Sequence, residues 1–325
     1  MAPVTMAKAL NTALLHALEG DDKVVVLGED VGRLGGVFRI TDGLQDRFGE
    51  ERVLDTPLAE SAIIGVSIGL AVRGWRPVPE MQFDGFSFPA FEQITSHLAK
   101  YRNRSLGMVP MPVVIRIPYG GGIGAVEHHS ESPETYYAHT AGLKVVSPSN
   151  PADAYSLLRE SIELEDPVVF LEPKRRYWVK QDVELPIRRA PIGKAEIVRP
   201  GSDLTVVAYG PMVKVAVDAA EAAASEGMGD LEVIDLRSLV PLDVDTLVDS
   251  ATRTGHMVVV HEAAEFLGFG AEIAARVTEE AFLSLEAPVL RCTGLDIPYP
   301  PAKLEEAHLP GVDRLLDTVR RSLDY

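Results

Sequence analysis

Short, almost purely apolar runs alternate with longer stretches of helical periodicity, and that alternation leaves the chain few ways to fold. Val24-Val25-Val26-Leu27 stops at Gly28. Val78 to Phe83, Pro112 to Ile117, Leu143 to Val146 and Val168 to Leu171 follow as further strand candidates. Between them Ser61 to Val72, Phe88 to Tyr101 and Ala152 to Ile162 read as helices. A run that is apolar at every position is a strand buried on both faces, not one with a wet side. Strand and helix in alternation therefore predict a mostly parallel sheet with helices on both sides.

Tyr177 to Pro200 breaks the pattern. It mixes Lys180, Asp182, Glu184, Arg188 and Arg189 with Pro186, Pro191 and Pro200, as an extended segment does. Alternation then resumes with strands at Leu204–Ala208, Leu231–Ile234, Met257–Val260 and Pro288–Arg291. Helices are expected at Val213–Ala224, Val244–Ala251 and Ala271–Phe282. The chain's 325 residues suit two domains. The expected division is an α/β domain at 1–185, a connector at 186–200 and a smaller α/β domain at 201–325.

The formal net charge is -17, which repels nucleic acid and anionic membranes and suits a basic protein partner. Cys292 is the single cysteine, so no intramolecular disulfide is possible, and a reducing compartment, the cytoplasm, is expected. Its setting, Val289-Leu290-Arg291-Cys292, reads as a buried strand end and a structural thiol. Met1 to Gly20 has apolar residues at three- and four-residue spacing, broken by Asn11, His16 and Glu19. It reads as an amphipathic helix rather than a signal segment. No apolar run approaches the ~18 residues of a membrane span.

Three constellations could carry chemistry. Gly120-Gly121-Gly122-Ile123-Gly124 follows a strand, but its spacing is not that of a dinucleotide loop, and Gly268-Phe269-Gly270 lacks a third glycine. Turns and close backbone approach are the simpler reading. His128 and His129 lie between Glu127 and Glu131. Adjacent side chains point apart, so a shared metal is disfavoured, while an exposed histidine near neutrality can trade protons. Asp55-Thr56-Pro57-Leu58-Ala59-Glu60 leads into the apolar helix and leaves Glu60 in its first turn. A carboxylate there suits the helix dipole, or grips a ligand's ring nitrogen; spacing alone leaves both open.

Taken in order, the motifs form a set. They are Val25 to Gly32, Gly35-Gly36-Val37-Phe38-Arg39, Asp55 to Glu60, Glu80-Met81-Gln82-Phe83 and Phe88-Pro89-Ala90-Phe91. Glu127-His128-His129-Ser130-Glu131-Ser132-Pro133-Glu134, Leu171-Glu172-Pro173-Lys174 and His261-Glu262-Ala263 complete it. From about residue 4 to the C-terminus the chain resembles the beta subunits of 2-oxo acid dehydrogenases, a thiamine-diphosphate family related to transketolase. The resemblance implies a transketolase-like pyrimidine-binding domain followed by a transketolase-type C-terminal domain.

The resemblance also implies roles. Glu60 matches the glutamate that hydrogen-bonds the cofactor's aminopyrimidine ring, a task suited to a carboxyl group whose pKa is raised in an apolar site. Glu29, Leu58, Ala59, Gln82 and Phe86 match positions lining the same pocket. Phe83, Asp84, Gly85, Phe86 and His129 match the substrate end, with His129 resembling the histidine that moves a proton as the acyl group passes to lipoamide. The expected reaction is oxidative decarboxylation of a 2-oxo acid with reductive acylation of a lipoyl group on an acyltransferase core.

Such enzymes hold the diphosphate through magnesium on a Gly-Asp-Gly stretch, which this sequence lacks. The resemblance puts that motif on an alpha subunit, so an alpha2/beta2 heterotetramer is expected. It implies as well a potassium site of backbone carbonyls matching Val113, Ser161, Ile162, Leu164 and Asp166, with Leu164 where relatives often carry Asp. Glu131 stands where the family often has Gln. Gly35 to Arg39, Gln82-Phe83 and Phe88 to Phe91 look closer to branched-chain than to pyruvate or acetoin relatives. Two other readings are a noncatalytic assembly subunit, which the intact Glu60, Gln82 and His129 oppose, and a self-sufficient transketolase-like enzyme, which the missing magnesium motif opposes.

Overall fold

The computed structural model describes residues 3–325. Two sheets organise it. The larger runs in the order Ser238–Val240, Lys144–Val146, Val168–Pro173, Val114–Tyr119, Arg76–Glu80, Val24–Gly28, Val53–Asp55. All its pairings are parallel except that of Ser238–Val240 with Lys144–Val146. The second sheet has the order Leu290–Gly294, Met257–Ala264, Leu204–Ala208, Leu231–Asp235, Glu196–Arg199, with only the last strand antiparallel. The strands Val24–Gly28, Val114–Tyr119 and Val168–Pro173 are buried at every position, as runs without polar alternation require.

Helix Met6–Gly20 is capped by Thr5, whose side chain accepts from Lys8 N, and packs against helix Pro151–Glu163. Met1 and Ala2 lie outside the described residues. Helix Pro151–Glu163 starts where Asn150 accepts from Asp153 N and Pro151 fills the first turn.

The two halves are not separate bodies. Ser238–Val240 leaves the second half to become an edge strand of the first sheet. A single apolar cluster joins Val145 and Val169 to Val207, Leu236 and Met257. The stretch expected as a connector contains the strand Glu196–Arg199, which edges the second sheet.

Two local departures from the sequence pattern bear on the site. The strand expected to reach Phe83 ends at Glu80. Arg76 N bonds Lys23 O on one side, so the alternate positions Pro77 and Pro79 turn their missing N–H groups toward Val114–Tyr119, where only Glu80 is in register with Arg116. Gln82 and Phe83 are thereby released to the cleft. The helix expected at Phe88–Tyr101 is instead a 3-10 turn over Asp84–Ala90 containing Pro89, a π-helical stretch Gln93–Leu98, then α-helix Ala99–Arg104. Helix Val312–Leu323, unanticipated from sequence, packs on Met212–Glu226 and Leu290–Gly294.

Candidate functional site

The sequence candidates gather beyond the carboxyl ends of adjacent parallel strands, where open α/β sheets bind ligands. Register places Gly28 opposite both Asp55 and Glu80, and Glu80 opposite Arg116, so these strands finish level. Glu29 follows the first strand, Leu58 to Glu60 the second and Gln82 to Phe86 the third. The segment bearing His129 follows Val114–Tyr119.

Two bonds bring the first pair of segments together. Thr56 N donates to Gly28 O at 2.9 Å. Gly32 N donates to the Asp55 carboxylate at 2.6 Å. Glu60 then opens helix Glu60–Val72 and is 8 % exposed. Among the described residues no hydrogen bond or ion pair holds its carboxylate. Burial, and after it the charges of Glu60 and Asp30, raise the pKa of Glu29 above the usual carboxylate range. Glu29 Oε1 is buried without a partner. Gln82 Nε2 donates to Asp30 Oδ2 at 3.0 Å and reaches Glu29 O at 3.5 Å. Leu58 and Ala59 are exposed at the rim. Two acids and an amide with spare hydrogen-bonding capacity beside an apolar lip fit an aminopyrimidine ring, which offers both donors and acceptors.

The aromatic end lies next to it. Helix Glu60–Val72 packs on the Asp84–Ala90 turn, which packs on Glu127–His129. Phe83 stacks on the His129 imidazole and Phe86 meets the same ring edge-on at 5.1 Å. Phe38 extends the cluster, 5.4 Å from Phe83 and 4.8 Å from Tyr177. A Cβ on Gly85 would lie 2.5 Å from His128 O, so only glycine lets the two segments touch. Asp84 sits differently from its neighbours: it is fully buried, ion-paired to Lys174, and accepts from Glu131 N at 2.8 Å. Lys174 also donates to His129 O at 2.7 Å. Asp84 therefore fastens the histidine segment from below. Glu131 contributes through its backbone, which explains how a carboxylate can replace the usual amide there.

Several supporting residues escaped the sequence reading. Arg116 is fully buried between Glu80 at 2.6 Å and Glu172 at 2.7 Å, and Tyr177 donates to Glu172 at 2.6 Å. A lone arginine inside Val114-Ile115-Arg116-Ile117 was the available signal, since a charge in a buried strand must be paired. Glu134 is fully buried and accepts from Tyr209 OH at 2.6 Å. Burial pushes its pKa up to about 7.

The residues matched to a potassium site already have partners. Arg76 donates to Ile162 O and Leu164 O, both at 3.0 Å. Val113 O accepts from Val168 N and Ser161 O from Leu164 N. Asp166 is ion-paired with Arg102 and Lys144. Arg76 thus meets two of the carbonyl oxygens that the resemblance assigns to a cation, while Arg102 and Lys144 pair with the Asp166 carboxylate.

Among the described residues nothing covers one face of helix Glu60–Val72. Val66 is 55 % exposed and Ala62, Gly69 and Val72 are exposed beside it. A cavity of about 450 Å³ flanks this face, lined by Gly65, Ile68, Gln93, His97 and Tyr101 among others. An apolar run such as Ser61 to Val72 suits a buried helix; in the single chain it is half covered.

Fold and site together define a transketolase-type pyrimidine-binding chain. The transketolase pyrimidine-binding domain family matches residues 2–179 and the transketolase C-terminal domain family residues 193–315. The chain belongs to the beta subunits of 2-oxo acid dehydrogenases. It is 59 % identical to 3-methyl-2-oxobutanoate dehydrogenase subunit beta of Mycobacterium tuberculosis, over 98 % of this chain and 92 % of that one. It is 58 % identical to pyruvate dehydrogenase E1 component subunit beta of Leifsonia xyli subsp. xyli, over 98 % and 95 %. 2-Oxoisovalerate dehydrogenase subunit beta of Pseudomonas aeruginosa is 46 % identical over 99 % and 95 %. Among solved structures, a split gene transketolase described as an inactive beta4 tetramer superposes with TM-score 0.82 at 25 % identity, covering 99 % of both chains.

Proposed function

We propose that this chain is the beta subunit of a branched-chain 2-oxo acid dehydrogenase, working with an alpha subunit on acids such as 3-methyl-2-oxobutanoate. The observation that carries it is the pair of acids at the carboxyl edge of the sheet: Glu60, a largely buried residue whose carboxylate has no hydrogen bond or ion pair among the described residues, beside Glu29 with its buried, unpartnered Oε1. The relatives named for branched-chain acids support the substrate, and the Leifsonia relative keeps pyruvate as the second reading.

Bound thiamine diphosphate supplies the nucleophilic carbon and the electron sink for decarboxylation. Glu60 shares a proton with the pyrimidine ring nitrogen, while Glu29 and Gln82 fill out the hydrogen bonds around that ring. Burial, with the neighbouring charges of Glu60 and Asp30, raises the pKa of Glu29 and so favours its protonated form more than in a free carboxyl group. At the other end His129 moves a proton as the acyl group passes to a lipoyl arm, and Phe83, Phe86 and Gly85 fix its ring. Asp84 acts beneath it as the counter-charge of Lys174. Magnesium falls to the alpha subunit.

The unpartnered face of helix Glu60–Val72 supports a second polypeptide closing the cleft, in an alpha2/beta2 assembly. The acidic surface fits a basic segment of the acyltransferase core. A solved relative of this fold that is inactive as a beta4 tetramer agrees with a need for both chains.

The test is Glu60→Gln in chain co-expressed with its alpha partner, assayed on a panel of 2-oxo acids with an artificial electron acceptor. Decarboxylation should fall on the order of a hundredfold or more, the scale of a lost acid–base group, with the assembly intact by size. Unchanged turnover would overturn the role of Glu60. A preference for pyruvate over 3-methyl-2-oxobutanoate would select the second reading.

A further inference from the structure

The amides of the Gly120–Gly124 loop are already occupied, by carboxylates from the other half of the same chain. Gly121 N donates to Glu262 Oε2 at 3.0 Å. Gly122 N and Gly124 N donate to the two oxygens of Glu305, at 2.8 and 3.1 Å. Glu262 sits in strand Met257–Ala264 and Glu305 opens the short helix Glu305–His308, so both reach across from the second half.

Each carboxylate is itself held. Arg175 pairs with Glu262, and Tyr299 OH donates to Glu305. The glycines are needed for this grip. Gly120, Gly122 and Gly124 take positive φ, which turns successive amides inward, and a Cβ on Gly121 would strike the Tyr299 hydroxyl at 1.9 Å.

The loop continues directly into His128 and His129. Gly120 N closes its base on Glu131 O at 2.9 Å, and His129 N bonds Val126 O at 3.0 Å within it. Lys174 and Asp84 hold the far end, at His129 O and Glu131 N. The histidine segment is thus suspended between two fixings, and the carboxylates of the one nearer the Gly-rich end come from the second half of the chain.

We infer that Glu305, with Glu262 and Tyr299 beside it, is a positioning residue for His129: it clamps the Gly120–Gly124 loop by its backbone amides and so sets where the imidazole stands for acyl transfer to the lipoyl arm. The inference rests on the proposed role of His129. No charge is transferred through the clamp; its effect is geometric. A charge-assisted bond to a backbone amide is stronger than a neutral one, and a single carboxylate that spans two amides also fixes their separation.

The experiment uses the assembled enzyme carrying Glu305→Ala or, as a milder variant, Tyr299→Phe. Amide hydrogen exchange over residues 120–131 reads the clamp, and lipoyl acylation is compared with decarboxylation measured by an artificial acceptor. Expected for Glu305→Ala are faster exchange at this loop and acylation lower on the order of 10–100-fold, the scale of an ångström misplacement. Decarboxylation should stay within about twofold. Tyr299→Phe should show the same split more weakly. Unchanged exchange, or equal loss of both half-reactions in both variants, would overturn the inference. So would a freed loop with normal acylation while His129→Ala still abolishes acylation, an outcome that leaves the role of His129 standing. Normal acylation in His129→Ala removes that role, and the inference with it.

Discussion

Phe83 lies flat against His129, with ring centroids 3.9 Å apart and planes inclined by 12°. Phe86 closes on the same imidazole at 90°, so the ring has one face and one edge fixed by aromatic neighbours. The stack exists because the strand ends at Glu80 and frees Gln82 and Phe83 from the sheet.

Removing the stack should loosen the imidazole without touching the acids around Glu60. Aromatic pairs of this kind are worth about 0.5–1.5 kcal/mol, so Phe83→Ala should slow lipoyl acylation by roughly 3–10-fold. Phe83→Tyr should retain most of the rate. The check is single-turnover acylation alongside cofactor titration; a cofactor affinity that falls as much as the rate would show that the ring serves the pocket instead.

Glu134 makes stability fall as pH rises. Its carboxyl ordinarily titrates near 4.5 and is held at about 7 in the folded chain, burial being the main cause. Between those values the folded state keeps a proton that the unfolded state has released, so the contribution weakens with rising pH and levels off above about 7. Glu134→Gln keeps an acceptor for Tyr209 and removes the titration. Chemical denaturation should find the variant gaining on the parent at pH 8 relative to pH 5; parallel pH profiles would refute the assignment.

Val66 stands at the middle of an uncovered apolar helix face. Val66→Glu changes no contact of the buried side, so the chain should fold with an unaltered circular dichroism spectrum. Association with the alpha subunit should fail, because the charge would be buried unpaired at the contact. Co-purification and size-exclusion chromatography of the two chains measure this. Normal assembly would place the partner elsewhere.

Arg76 meets the carbonyls of Ile162 and Leu164 where the resemblance allowed a potassium ion. The thermal midpoint of the assembled protein should therefore be the same in potassium and in tetramethylammonium salts. Arg76→Ala forfeits charge-assisted hydrogen bonds worth on the order of 1–3 kcal/mol each and should lower that midpoint in both salts. A parent midpoint several degrees higher in potassium would place the ion at the site.

The order of elements was legible because strands buried on both faces must be apolar throughout, and the chain writes them that way at Val24–Gly28 and Val168–Leu171. Glu60, Gln82 and His129 were legible only as members of an ordered set of motifs; spacing alone left Glu60 between a helix-start charge and a ligand contact. What the sequence settled by itself was local: which runs pair, where prolines and glycines interrupt them, and that a magnesium motif is missing. Tertiary structure decided what lies far apart in the chain. It put Arg76 on the Leu164 carbonyl, seated Lys174 under His129 and sent Glu262 and Glu305 across to the glycine loop. Such pairings depend on which groups the folded backbone leaves buried with unmet hydrogen bonds, and no pattern along one strand or helix records that.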